Sequence, residues 1–172
     1  MDKRWIGILI ILIVGCACMY YIVDTSTTVG NSITVVNKTV VTLPNDFSID
    51  DSGSNSAKII NKDTHEKIYF EDLARKDIAS DSFNKKLKEL EGDSNIQINN
   101  NSTVKINNIT VYKIDCENFT TENATNISIC YAHTCYHTFL IQFKNYSDSV
   151  KLDKDLDYII SNMKPDFKQS QD

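Results

Sequence analysis

The sequence predicts an α+β protein: an N-terminal transmembrane helix followed by an antiparallel β-sheet packed with two helices. Three observations carry this reading. The apolar run Trp5 to Val23 contains no charged residue. Beyond it, short β-branched and aromatic stretches alternate at period two, and two later segments, around Phe83 and around Leu156, each own one apolar stripe at helical spacing. A helix with one apolar stripe and one charged face covers a sheet rather than sitting inside a core. With 172 residues, 41% hydrophobic and 24% charged, only five glycines and two prolines, the chain has the composition of one globular domain plus an appendage. A formal net charge of −5 argues against nucleic acid as a partner, because phosphate-backbone binding needs a broad basic face.

The first element is the 19-residue run Trp5 to Val23, about 28 Å long as a helix and close to the roughly 30 Å hydrocarbon core. Lys3 and Arg4 precede it and Asp24 comes after it, so the positive-inside bias places the N-terminus in the cytoplasm and the rest outside. Trp5 at one end and Tyr20 and Tyr21 at the other suit the two interfaces. A second reading is a lipoprotein signal, since Ile13-Val14-Gly15-Cys16 resembles a lipobox whose cysteine, Cys16, becomes lipidated; a third is a cleaved signal. All three make residues 1–23 a membrane anchor or signal segment and export the remainder of the chain. Residues 24–37, rich in Thr, Ser and Asn, read as a spacer, residues 38–165 as the extracytoplasmic domain, and 166–172 as a polar tail.

Within the domain, Thr39 to Leu43 alternates, Pro44-Asn45 breaks it, and Phe47 and Ile49 resume period two, which predicts strand, turn, strand. Ala57 to Ile60 and Lys67 to Phe70 flank the turn formers Asn61 to Thr64 and form a hairpin. Phe83, Leu87 and Leu90 share one face of a helix over Ser82 to Glu91, with Asp81 or Ser82 as N-cap and Gly92 as its stop. The Asn-rich stretch Asn95 to Asn108 reads as a loop with a short strand around Val104 to Ile106. Three strands come next, Ile109 to Ile114, Ile127 to Ala132 and Tyr136 to Phe143. Leu152, Leu156, Ile159, Ile160 and Met163 then form the stripe of a closing helix that Pro165 ends. That stripe is expected to pack on the side of the last strand that carries Phe139, Ile141 and Phe143.

This order of elements, with Val41-Thr-Leu-Pro-Asn-Asp-Phe47 as a Leu-Pro-x-x-Phe opening, the hairpin around Asn61 and Tyr158-Ile-Ile-Ser-Asn-Met163 near the end, resembles the PsbP/Mog1-like fold over residues 38–165. It is also similar to small surface-anchored proteins of methanogenic archaea that carry such domains. That fold serves in photosystem assembly, in a small-GTPase cofactor and in many exported proteins. The resemblance implies binding or scaffolding and carries over no functional residue.

The densest cluster of reactive side chains is Cys130, His133, Cys135 and His137. His133, Cys135 and His137 would share a face if 133–137 were one strand, giving a surface metal or redox module. The competing reading is a Cys130–Cys135 disulfide across a loop of about four residues between Tyr131 and Tyr136. Free thiols are the third alternative. Cys116 is expected to be unpaired and buried. Asp153, Asp155 and Asp157 resemble the start of a calcium loop, but Tyr158 stands where glycine is needed and Lys164 where glutamate should bind. Asp46, Asp50 and Asp51 lack an accompanying histidine, and Lys85, Lys86 and Lys88 read as a solvated face. Eight Asn-x-Ser/Thr triplets, at Asn37, Asn100, Asn101, Asn108, Asn118, Asn123, Asn126 and Asn145, are candidate glycosylation sites. The expectation is a membrane-anchored extracytoplasmic binding or scaffolding domain for an unknown protein or cell-surface ligand, non-enzymatic, with no cofactor.

Overall fold

A computed structural model describes residues 32–35, 39–74, 78–120 and 124–165. The anchor reading of residues 1–23, with Cys16, therefore lies outside the described residues, as do Asn37, Asn123 and the tail. Among the described residues no helix is long and apolar enough to cross a membrane.

The described chain is an α+β fold of ten strands and two helices. The strands are β1 (Ser32–Val35), β2 (Thr39–Thr42), β3 (Ser48–Ser52), β4 (Ser56–Ile60), β5 (Lys67–Asp72), β6 (Ile96–Ile106), β7 (Ile109–Asn118), β8 (Thr125–Thr134), β9 (His137–Lys144) and β10 (Lys164–Pro165). The helices are α1 (Ala79–Glu91) and α2 (Ser149–Asn162). Seven strands form one sheet in the order β3-β4-β5-β9-β8-β7-β6, and β1-β2-β10 form a second. All pairings are antiparallel.

Each face of the large sheet carries its own core. On one face Ile59, Ile68, Phe70, Cys130, Ala132, Phe139, Ile141 and Phe143 meet Val41 of β2, Leu43 just after it, and the α2 stripe Leu152, Leu156, Ile159, Ile160 and Met163. On the other, α1 brings Phe83, Leu87 and Leu90 onto Tyr112, Ile114, Cys116, Ile129, Tyr131 and Leu140. The parity expected along β9 holds: Phe139, Ile141 and Phe143 face α2, while Leu140 faces α1.

Several sequence expectations are corrected. The expected strand, turn, strand is present as β2, a turn at Asn45-Asp46 and β3, but the two strands enter different sheets, because Leu43 and Phe47 both turn into the α2-side core. β1 falls in the stretch read as a spacer. α1 begins earlier than expected, with Ile78 at its N-cap and no side-chain cap, whereas it closes at Gly92, whose N–H donates to the Glu89 carbonyl while the Asp93 N–H donates to that of Leu90. The Asn-rich stretch is the 11-residue strand β6, not a loop. A bulge between Ile98 and Asn100 explains why its pattern looked weak. The extra residue reverses the parity of the strand, so Ile96 and Ile98 pack on the α1 side while Ile106 packs on the α2 side.

Candidate functional site

The α2 face of β7 and β8 carries polar residues where the rest of that face is apolar. Lys113 and Asp115 lie on β7, and Ser128 stands directly opposite Asp115 on β8. Asp148 caps α2 by accepting the Val150 N–H at 2.8 Å, which starts the helix over this spot and brings Asp153 down to it. Lys113 Nζ donates to Asp153 Oδ1 at 2.8 Å and lies 3.4 Å from Asp115 Oδ1, while Ser128 Oγ donates to the same Asp115 oxygen at 2.5 Å. Around them is a groove of about 330 Å³, whose polar lining includes Asn99, Asn100, Asn126, Ser147 and Ser149.

The electrostatics of the groove are self-contained. Burial works against the Lys113 charge, but its hydrogen bond to Asp153 and the charges of Asp115 and Asp153 outweigh that and raise its pKa. Lys113 is thus a locked ammonium and offers no free base. The Ser128 proton is committed to a carboxylate that Lys113 also holds. What remains open is a rim of amides and hydroxyls, suited to recognition by hydrogen bonds. The one visible signal in the sequence was a lysine inside the apolar strand Ile109 to Ile114. Its partner Asp153 is 40 residues away, beyond the reach of any local pattern.

The Cys130/His133/Cys135/His137 cluster is not brought together. β8 runs on to Thr134, and the turn is only Cys135-Tyr136, with φ of 51° and 69° and Thr134 opposite His137. His133 therefore points to the α1 side and His137 to the α2 side, because His133 alternates with Ala132 while His137 shares the parity of Phe139. His133 Nδ1 sits 3.1 Å from Thr138 Oγ1, while His137 Nδ1 faces Asp72 Oδ2 at 2.6 Å. Cys130 is opposite Ile141, wholly buried. The disulfide reading is corrected for the same reason: four residues of strand, roughly 13 Å, separate Cys130 from Thr134 and the turn, and Cys116, Cys130 and Cys135 are free thiols. Burial raises the pKa of all three, so none is a ready thiolate. Among the described residues no group of three or more His, Cys, Asp or Glu could hold a metal ion.

The carboxylates singled out in the sequence disperse. Asp46 accepts from Asn61 Nδ2 at 2.7 Å and lies 3.4 Å from Lys151 Nζ. Asp50 pairs with Lys58 at 2.7 Å, whose hydrogen bond and charge hold its carboxyl below the usual range. Asp51 and Asp157 are exposed; Asp153 serves Lys113 and Asp155 accepts from Tyr146. On α1, Lys86 pairs with Glu89 at 3.2 Å, and Lys85 and Lys88 are exposed. Of the glycosylation candidates, Asn100, Asn101, Asn108, Asn126 and Asn145 are exposed and Asn118 is half-buried. Ser128, the hydroxyl residue of the Asn126 triplet, is buried against Asp115.

No protein-family model matches this sequence, and no curated protein matches it. Solved structures do match in fold. A protein from Bacteroides thetaiotaomicron superposes with a TM-score of 0.57 at 18% identity over 82% of this chain, which spans half of that protein's length. LpqN, involved in cell envelope biogenesis of Mycobacterium tuberculosis, superposes with a TM-score of 0.52 at 10% identity, over 78% of this chain and 89% of its own. Cyanobacterial PsbP from Synechocystis aligns over 74% of this chain and 86% of its own at 13% identity, with a TM-score of 0.49. The likeness to the first two is one of fold alone.

Proposed function

We propose that this chain is a membrane-anchored, extracytoplasmic domain that binds or scaffolds a partner at the cell surface without catalysing a reaction. The observation that carries the reading is the groove beside Lys113: a preformed concavity of about 330 Å³ whose lysine is held between two carboxylates, Asp115 and Asp153, and whose rim offers amides and hydroxyls. Such a site holds a polar ligand by hydrogen bonds and supplies neither a free base nor an activated nucleophile. The fold shared with LpqN, a protein of cell envelope biogenesis, fits a role at the envelope. The apolar run Trp5 to Val23 and the Asn-x-Ser/Thr triplets fit export. The likeness to PsbP/Mog1-like domains of methanogenic surface proteins belongs to the same proposal and rests on the sequence.

Protease added to intact cells is expected to remove the domain, and full protection overturns export. Full-length chain in lipid nanodiscs is expected to bind members of a panel of neutral soluble oligosaccharides and peptides. That binding should be lost in Lys113→Met while the melting transition remains cooperative. Turnover of ester, peptide or phosphate-ester substrates that disappears in Ser128→Ala overturns the non-enzymatic reading.

A further inference from the structure

α1 packs chiefly over β6, β7 and β8 of the large sheet and meets β9 at Leu140. On that same side, β4, β5 and β9 form an open shelf, a concavity of about 350 Å³ lined by Lys58, Lys67, Tyr69, Gln142 and Lys144. Its rows are set by the register: Lys58 is opposite Tyr69, Tyr69 opposite Gln142, and Lys67 directly opposite Lys144. Like charges facing each other across an antiparallel pair oppose sheet formation. Lys58 has a counter-charge in Asp50, and Glu71 is engaged by the Tyr69 hydroxyl at 3.4 Å. Among the described residues no carboxylate forms an ion pair with Lys67 or Lys144. Lys67, and after it Lys62 in the adjoining turn, add to the field that lowers the Asp50 pKa, Lys67 acting at longer range than an ion pair. In a chain of net charge −5, two facing lysines that no carboxylate contacts directly mark a place for an external anion.

We propose that this shelf rests on an anionic lipid surface, with the headgroup phosphate held between Lys67 and Lys144. The proposal builds on the anchored reading. Eight residues separate Val23 from Ser32, a tether that reaches at most roughly 29 Å, so the domain cannot leave the layer beside the bilayer. The tether enters the domain at β1, which lies against β4 and β5, the strands that carry Lys58 and Lys67. A short tether makes the contact intramolecular and raises the effective concentration of headgroups at the shelf. Lys85 and Lys88, exposed on α1 on the same side of the sheet, extend the basic surface.

The test is lysine acylation read by mass spectrometry on full-length chain in vesicles, either of phosphatidylcholine alone or containing phosphatidylglycerol. Lys67 and Lys144 should label up to roughly 25-fold more slowly on the anionic vesicles, since each of the two basic residues at such a surface is worth about a factor of five. High salt should abolish the difference, and Lys154, exposed on α2 on the opposite side, should label equally in both. In Lys67→Gln/Lys144→Gln, Lys58 should lose its protection. Equal labelling of Lys67 and Lys144 in the two lipids, in chain that floats with the vesicles, overturns this proposal alone. Protection by soluble polyglutamate on neutral vesicles, without protection by anionic lipid, overturns it in favour of an acidic protein partner. Failure to float with neutral vesicles overturns the anchored reading and this proposal with it.

Discussion

Tyr146 donates its hydroxyl to Asp155 Oδ2 at 2.9 Å, joining the segment that leaves β9 to the buried side of α2. The same phenol edges onto the Phe143 ring and lies beneath Lys151, whose ammonium is held by Glu66 and, at 3.4 Å, by Asp46. Helix α2 is thereby fixed at its first turns by a polar clasp as well as by its apolar stripe.

Removing the donor leaves a buried carboxyl without it. Tyr146→Phe is expected to cost about 1–3 kcal/mol in denaturant unfolding. Asp155→Asn behaves differently, because an amide oxygen still accepts from Tyr146. Burial raises the Asp155 pKa, and the charges of Asp46 and Glu66 add to the rise, against the opposing pull of Tyr146 and Lys151. The folded state therefore binds the Asp155 proton more tightly than the unfolded one. The stability this supplies is full below the ordinary carboxylate range and is lost as pH rises through the folded pKa. Asp155→Asn should be neutral or stabilising at neutral pH and lose that advantage in acid; a larger loss at neutral pH than in acid would contradict the assignment.

Ile159 is 0% exposed and belongs to the stripe on β9, whereas Asp157, two residues earlier and so on the opposite side of the helix, is exposed. Ile159→Ala should cost about 2–5 kcal/mol through lost transfer energy and a cavity. Asp157→Ala should stay within about 0.5 kcal/mol. Equal shifts in thermal unfolding would mean that α2 is not docked through this face.

The two helices and the β4–β5 hairpin were legible because each is fixed by local periodicity or turn residues. β6 was not, because the bulge at Asn99 splits its isoleucines between two cores, and no single-face pattern survives that. The β8–β9 turn was misplaced because Cys135-Tyr136 lacks the Asn-Gly signal that positive φ at both positions favours. The groove was illegible for a different reason. Lys113, Ser128 and Asp153 meet only through strand register and helix docking, which are set by the whole fold.

His137 and Asp72 make a pair that the sequence also hid, 65 residues apart, with Asp72 at 2% and His137 at 16% side-chain exposure. His137→Ala removes the group facing Asp72 Oδ2, while Oδ1 still accepts the Ala74 N–H at 2.7 Å, and should cost about 1–3 kcal/mol. His133→Ala, at an exposed position, should cost under about 1 kcal/mol. A reversed order in chemical denaturation would show that the pair does not hold the β5 end to β9.

Thiol accessibility checks the cysteine placement. With Cys116 and Cys130 buried and Cys135 half-buried at the turn, iodoacetamide should modify Cys135 first among these three. Cys116 and Cys130 should react only on unfolding, Cys130 being the more resistant because its burial is complete. A Cys130–Cys135 crosslink in peptide maps made without reductant would refute the two-residue turn.

The turn itself supplies the last prediction. Cys135 and Tyr136 hold φ of 51° and 69°, the left-handed region in which a side chain bearing a Cβ is disfavoured by about 1–2 kcal/mol per residue. Asn and Gly adopt it at least cost, and the other two-residue hairpin, between β6 and β7, does use Asn107 and Asn108, at φ of 46° and 66°. Tyr136 is 66% exposed, so replacing it removes little buried surface. Cys135 is half-buried against the α2-side core, and its loss offsets part of the gain. Cys135→Asn/Tyr136→Gly is therefore expected to stabilise the domain by about 1 kcal/mol, read as a higher urea midpoint with an unchanged slope. A lower midpoint would show that the turn is wider than two residues and that Thr134 does not face His137, which would also remove the ground for placing His133 and His137 on opposite sides of the sheet.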